Sequence, residues 1–211
     1  MLAKFKQHKL LIIALVAAGV LLLAVVAAGL VDHFTPYGYA REVSPRERAT
    51  RDLMVQTAEA WLGRMESDGS HREIIDLYNG HTPLAQGYEV QYSDNWCAAF
   101  VSAVAIQCNF THIIPTECGC ERQIGLFMAL DRWIEDDSYV PLPGDIIYYC
   151  GKDTGQGDCT GWSDHVGIVV GTKGPYIKVI EGNSADRVQY VTIRVDARTI
   201  RGYAVPDYNA Q

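Results

Sequence analysis

A cysteine, a histidine and a carboxylate, far apart in the chain, are the residues whose types and surroundings suit them to chemistry. Cys97 stands in Tyr92-Ser93-Asp94-Asn95-Trp96-Cys97-Ala98-Ala99-Phe100-Val101, where a polar, turn-prone run gives way to an apolar one. Ala98, Val101, Ala105 and Cys108 follow at helical spacing, so the cysteine opens a helix. There the unpaired N–H groups of the first turn and the positive end of the helix dipole stabilise a thiolate. A buried cysteine that merely starts a core helix has the same pattern, because free cysteine packs as a small hydrophobe. What argues for chemistry lies downstream. His165 opens the apolar run 166–170, and Glu181 and Asn183 come sixteen and eighteen residues after it. A thiol needs an imidazole to take its proton, and the imidazole needs an acceptor at its other nitrogen to fix tautomer and orientation. In a hairpin turning at residues 172–175, the end of the second strand returns beside the start of the first, which places Glu181 or Asn183 next to His165. His8, His33, His71, His81 and His112 are read as anchor, tether, helix or loop residues.

The elements that must position these groups follow from capping and periodicity. Ser44-Pro45-Arg46-Glu47 combines a capping serine, proline at the first helical position and an early acid. It predicts a helix with Leu53, Val55, Ala58, Trp61, Leu62 and Met65 inward, stopping near Ser67-Asp68-Gly69. A short helix is expected over 72–78, ending at Asn79-Gly80, then a loop over 83–91. The cysteine helix runs to about residue 108, an irregular loop spans 109–120, and a helix over 121–132 carries Ile124, Phe127, Met128 and Leu130 inward. From there the period is two, with strands over 145–149, 165–171, 176–181, 188–195 and 201–205 between Gly/Pro/Asp turns. Helices first and hairpin-linked strands afterwards indicate an α+β fold with an antiparallel sheet.

The N-terminus sets where this domain works. Lys4, Lys6 and Lys9 precede 22 uncharged residues, 10–31, long enough to span a hydrocarbon layer about 30 Å thick as a helix. The length favours a retained anchor over a cleavable signal, although Val26-Ala27-Ala28 before Gly29 is an acceptable cleavage site. Either way the lysines stay inside and the rest is exported: a single-pass protein of the cell membrane with its domain outside, or a secreted one if cleaved. Residues 32–44 read as a tether, and residues 45–208 as one domain. Residues 32–211 carry 15 basic and 25 acidic groups, a net −10 with no basic-aromatic patch, which argues against nucleic acid as a partner. Of the six cysteines, Cys150 and Cys159 flank a Gly/Asp-rich loop and form the best-placed local bridge. Cys108 with Cys118 or Cys120 is the other pairing. A zinc site on Cys108, Cys118 and Cys120 is disfavoured, because Cys118-Gly119-Cys120 is too tightly spaced for the usual ligand pairs.

Four blocks in order, residues 96–102, 143–149, 164–169 and 179–184, resemble the CHAP family of cysteine amidohydrolases/peptidases. That family lies in the papain-like superfamily that also holds the NlpC-type endopeptidases. The likeness covers about residues 85–208, with a helical lead-in over 45–84. It implies a papain-like fold, with the nucleophile helix packed on an antiparallel sheet. It also implies hydrolysis of peptidoglycan amide bonds, either N-acetylmuramoyl–L-alanine or those of stem and cross-bridge peptides. On that pattern Cys97 is the nucleophile, His165 the base and Glu181 its orienting acceptor, with Asn183 a second polar partner. Pro143-Gly144-Asp145 leads into a core strand, and Trp96, Trp162 and Asp164 are expected on the substrate side. No cofactor is implied. Lysin-type members often carry an acidic calcium loop around the cysteine; here only Asp94 is present, so no metal is expected. Trp96 replaces the small or amide residue found before the cysteine in some relatives, leaving the backbone N–H of Cys97 as the oxyanion donor. Acyl transfer to an amine through the same thioester, and a non-catalytic wall-binding scaffold, are the alternative readings.

Overall fold

The computed structural model describes residues 36–151 and 161–210. The apolar segment 10–31 and Cys159 lie outside them, so the expected membrane helix and the Cys150–Cys159 bridge do as well. Among the described residues no helix is long and apolar enough to cross a membrane.

Among the described residues, four α-helices precede or flank the sheet: α1 (Pro45–Glu59), α2 (Arg72–Asn79), α3 (Cys97–Gln107) and α4 (Cys120–Ala129). Six strands follow: β1 (Trp133–Ile134), β2 (Ile146–Tyr149), β3 (His165–Lys173), β4 (Tyr176–Ser184), β5 (Arg187–Arg194) and β6 (Ile200–Ala204). They form one sheet in the order β1-β6-β2-β3-β4-β5, with every pair antiparallel. The fold is therefore α+β as the change of period predicts; β1 is an addition, too short to leave a period-two signal.

Helix α3 is the centre of the core. The sequence suggests one apolar stripe, yet every residue from Cys97 to Ala105 is buried. Small and apolar side chains all round suit a helix enclosed on all sides, and α3 packs against α1, α2, β3 and β4. Its approach to β4 depends on Gly182, where a Cβ would stand 2.5 Å from Phe100 Cβ and 2.9 Å from Trp96 Cζ3. The other face of the sheet is covered by a second apolar cluster with Ile147, Val169, Val179 and Tyr203.

Two helices differ from the periodicity. Helix α1 starts as expected, with Ser44 Oγ accepting from Glu47 N–H, but ends at Glu59 and does not continue through Met65. The chain leaves the helix because residues 63–66 pair with the start of β5: Gly63 N–H bonds Val188 O, and Glu66 N–H bonds Asp186 O. Leu53 and Leu62 are exposed, and the buried face of α1 is formed by Arg51, Met54, Val55 and Ala58. Helix α4 likewise ends early, leaving Met128 and Leu130 exposed while Gln123, Ile124 and Phe127 face the core. The tether is shorter than expected, since Gly38 exchanges two backbone hydrogen bonds with Thr172 and Tyr39 OH donates to Asp52.

Helix α1 is pinned to the sheet by a buried ion pair. Arg51 Nη1 lies 2.8 Å from Asp145 Oδ1 and donates to Pro143 O, while its Nε lies 2.8 Å from Glu47. Asp145 Oδ2 accepts from Leu142 N–H and Tyr139 OH. Burial pushes the Asp145 carboxyl up, and the Arg51 charge opposes that shift. The Pro143-Gly144-Asp145 block is thus the anchor of β2. Removing one partner of such a pair strands a buried charge, at about 3–5 kcal/mol. Arg51→Met is expected to lower unfolding stability by that amount in urea titration; a loss below about 1 kcal/mol would contradict the buried pair.

Candidate active site

Cys97 is the first residue of α3 and is 5 % exposed. His165 is the first residue of β3, and Glu181 lies near the end of β4. The hairpin turns at Gly174-Pro175 and returns Glu181 beside the start of β3, as the sequence predicts. His165 Nε2 lies 2.9 Å from Glu181 Oε2. The nitrogen left to face the sulfur is then Nδ1, and the ring is close enough to Cys97 for each to shift the other's titration.

Two neighbours set this geometry. Tyr149, the cross-strand partner of His165 on β2, stacks on its ring with centroids 5.8 Å apart and planes 22° off parallel. Gly167, two residues after His165 on the same face, has no side chain to fill the space that Glu181 crosses. A Cβ there would lie 2.8 Å from Glu181 Cγ and 2.5 Å from Val179 Cγ1.

The electrostatics form an ion pair. The Cys97 thiol is lowered to about 5, first by its hydrogen bond with Cys120 and then by the nearby His165 ring, which together outweigh burial. Burial alone would depress His165, but the Cys97 sulfur and the Glu181 carboxylate push it up to about 10. Between those values a thiolate faces an imidazolium, the arrangement that activates a sulfur nucleophile near neutral pH.

The remaining expected residues fall in different places. Asn183 does not meet the ring. A register shift between Glu181 and Ser184, with Asn183 at φ 57°, turns its amide outward to donate to Asn95 Oδ1 at 3.4 Å. Trp96 is fully buried, its indole N–H bonded to Glu66 Oε1 and its ring 5.8 Å from that of His71. It braces α3 from behind and has no surface to offer a substrate. Trp162 is 74 % exposed, and Asp164 is exposed with its carboxylate accepting from Gly151 N–H. Both stand on the segment entering β3.

Cys108, Cys118 and Cys120 do not form the bridges or zinc set considered from the sequence. Cys108 contacts Leu53 O, Cys118 contacts Glu117, and Cys120 lies 3.6 Å from Cys97 Sγ; all three are free. No group of three or more metal-ligating side chains occurs among the described residues. Cys120 and Tyr149 are the members of the site that sequence reading missed. Cys120 carried a usable signal: like Cys97, it stands where a loop gives way to a helix, here one opened by Glu121-Arg122-Gln123.

A family model described as the CHAP domain matches residues 87–183, a span that holds Cys97, His165 and Glu181. No curated protein and no solved structure matches the chain.

Gly167→Ala must push Glu181 away from His165. Alkylation of Cys97 at pH values below its midpoint near 5 is expected to slow by about tenfold, one pK unit of lost stabilisation. An unchanged rate in the folded variant would separate the carboxylate from the reactivity of the sulfur.

Proposed function

We propose that this chain, a member of the CHAP domain family, is a cysteine hydrolase that cleaves amide bonds of peptidoglycan through a thioester. The observation that carries the reading is His165, held by Glu181 at 2.9 Å and near enough to Cys97 to lower its thiol. In the proposed sequence the Cys97 thiolate attacks the amide carbonyl carbon. The developing oxyanion lies near the first-turn N–H groups of α3, of which the Cys97 N–H is the nearest candidate donor. His165, as imidazolium, gives its proton to the leaving amine, and the C–N bond breaks to leave a thioester on Cys97. Water then adds to the thioester carbonyl while neutral His165 takes its proton. Collapse releases the carboxylic acid and returns the thiolate–imidazolium pair, with Glu181 stabilising the charged ring throughout.

Trp162 and Asp164, exposed on the lead-in to β3, are the proposed substrate contacts. An aromatic face with an adjacent carboxylate suits a peptide carrying amide and amino groups. Residues 1–31 support an extracytoplasmic site: three lysines followed by 22 uncharged residues read as an anchor that holds the domain at the outer face of the membrane. Tethering raises the effective concentration of the domain at the wall without a separate binding module.

Digestion of purified peptidoglycan tests the reading. New amino termini are expected, L-alanine termini for amidase cleavage and others for peptide cleavage. Cys97→Ser is expected to lower their release by at least about 10³-fold. The pH dependence follows from the two shifts: thiolate is lost as pH falls through about 5, and imidazolium is lost as pH rises through about 10. The profile of kcat/KM is therefore a broad bell, flat near neutrality. Equal release by Cys97→Ser and the unmodified chain, or joined products without new termini, would overturn the hydrolase reading.

A further inference from the structure

The proposed reaction leaves one buried group beside the nucleophile without a task. Cys120 Sγ is 3.6 Å from Cys97 Sγ, and the two residues are 8 % and 5 % exposed. That separation is hydrogen-bonding contact, far longer than the bond of about 2.05 Å in a disulfide. Each cysteine opens a helix, α4 and α3 respectively, so two helix N-termini converge on one pair of sulfur atoms.

This convergence is fixed by polar groups buried between the helices. Ser102 Oγ on α3 donates to Glu117 O at 2.7 Å and accepts from Glu117 N–H at 2.9 Å. The Glu117 carboxylate then accepts from Cys118 N–H and Gly119 N–H, the last residues before α4. Gln123, one turn into α4, donates to Pro115 O and accepts from Tyr148 OH at 2.8 Å. Glu121 accepts from Ser163 N–H at 2.8 Å, which ties the same turn of α4 to the segment entering His165. A cysteine placed by so many satisfied buried bonds has little freedom to face elsewhere.

We infer that Cys120 is a positioning residue for the nucleophile: its thiol donates to the Cys97 sulfur and holds it as a thiolate facing His165. The inference rests on Cys97 being the nucleophile. The donor must be Cys120, because a thiolate at Cys97 has no proton to give and already accepts from the imidazolium. Consistent with that direction, the Cys120 thiol is pushed up, first by its bond to Cys97 and then by burial. The other titratable groups facing the pair are His165 on β3 with Glu181 on β4 behind it, Asp164 before β3, and Tyr148 on β2. His165 is the one cation among them. The thiol proton therefore adds a second source of positive potential, aimed from the helix side opposite the sheet's imidazolium. Sulfur is a weak donor, so the expected effect is at the lower end for a hydrogen bond to a charged group, about one pK unit.

The test reads the pH midpoint of Cys97 alkylation by iodoacetamide, following the Cys97 peptide by mass spectrometry, in the reduced full-length chain. Cys120→Ala is expected to raise the midpoint by about one unit, with about tenfold slower labelling at pH values below it. Cys120→Ser keeps a donor of similar size and is expected to fall between Cys120→Ala and the unmodified chain. Equal midpoints in all three proteins, or equal shifts in the alanine and serine variants, would make Cys120 a packing residue and overturn the inference. Either result leaves the hydrolase reading intact if the unmodified midpoint is near 5. A midpoint near the ordinary thiol value in the unmodified chain would overturn both.

Discussion

The contact between the Cys97 sulfur and the His165 ring is the interaction on which the rest of the structure depends. A thiolate and an imidazolium are both disfavoured by burial, and each persists because the other is present. Burial raises the strength of the attraction as well as its desolvation cost, so neither group can be moved far without the pair reverting to neutral thiol and imidazole. The geometry has to be supplied from outside the pair. It comes from the start of α3 for the sulfur, the start of β3 for the ring and the end of β4 for the carboxylate. Tyr149 fixes the ring plane, and the bare backbone at Gly167 opens the path for Glu181.

Around this pair the fold is a frame with two kinds of fastening. Apolar packing encloses α3, with Gly182 allowing β4 to approach Phe100 and Trp96 closely. Polar fastenings act at the two ends of the frame. Arg51 and Asp145 fix α1 to the lead-in of β2, while Ser102, Glu117, Gln123 and Tyr148 fix α4 to α3 and the sheet. Each of these groups is buried with its partners, so a change at one leaves another unsatisfied. Helix α4 joins both halves of the site, through Cys120 to Cys97 and through Glu121 and Ser163 to the approach to His165.

Much of this was legible from residue types. The polar-to-apolar switch at Cys97 marks a helix start, and the hairpin arithmetic from His165 to Glu181 gives the observed pairing. The same arithmetic could not separate Glu181 from Asn183, because the register shift that turns Asn183 toward Asn95 is a local backbone event with no periodic trace. Trp96 departs from its expected place for a related reason: its neighbour in sequence is Cys97, but the residue before a helix can point to the opposite side of the chain. Cys118-Gly119-Cys120 invited a reading in terms of bridges and metal, and what decides its role is a non-local contact of 3.6 Å between two helix starts. Helix α1 ends before its apolar pattern does because pairing of residues 63–66 with the start of β5 competes with helix continuation, and local propensity does not see that competitor.

The protonation state of His165 is the most direct measure of the central pair. Nitrogen-15 NMR of the full-length chain with labelled histidine, with the resonance assigned by comparison with His165→Gln, reads both ring nitrogens separately. Both are expected to carry protons from pH 6 to 9, with the imidazolium titrating only near pH 10. A ring that is neutral at pH 7.5, with one nitrogen unprotonated, would contradict the ion pair and remove the physical basis for an activated Cys97.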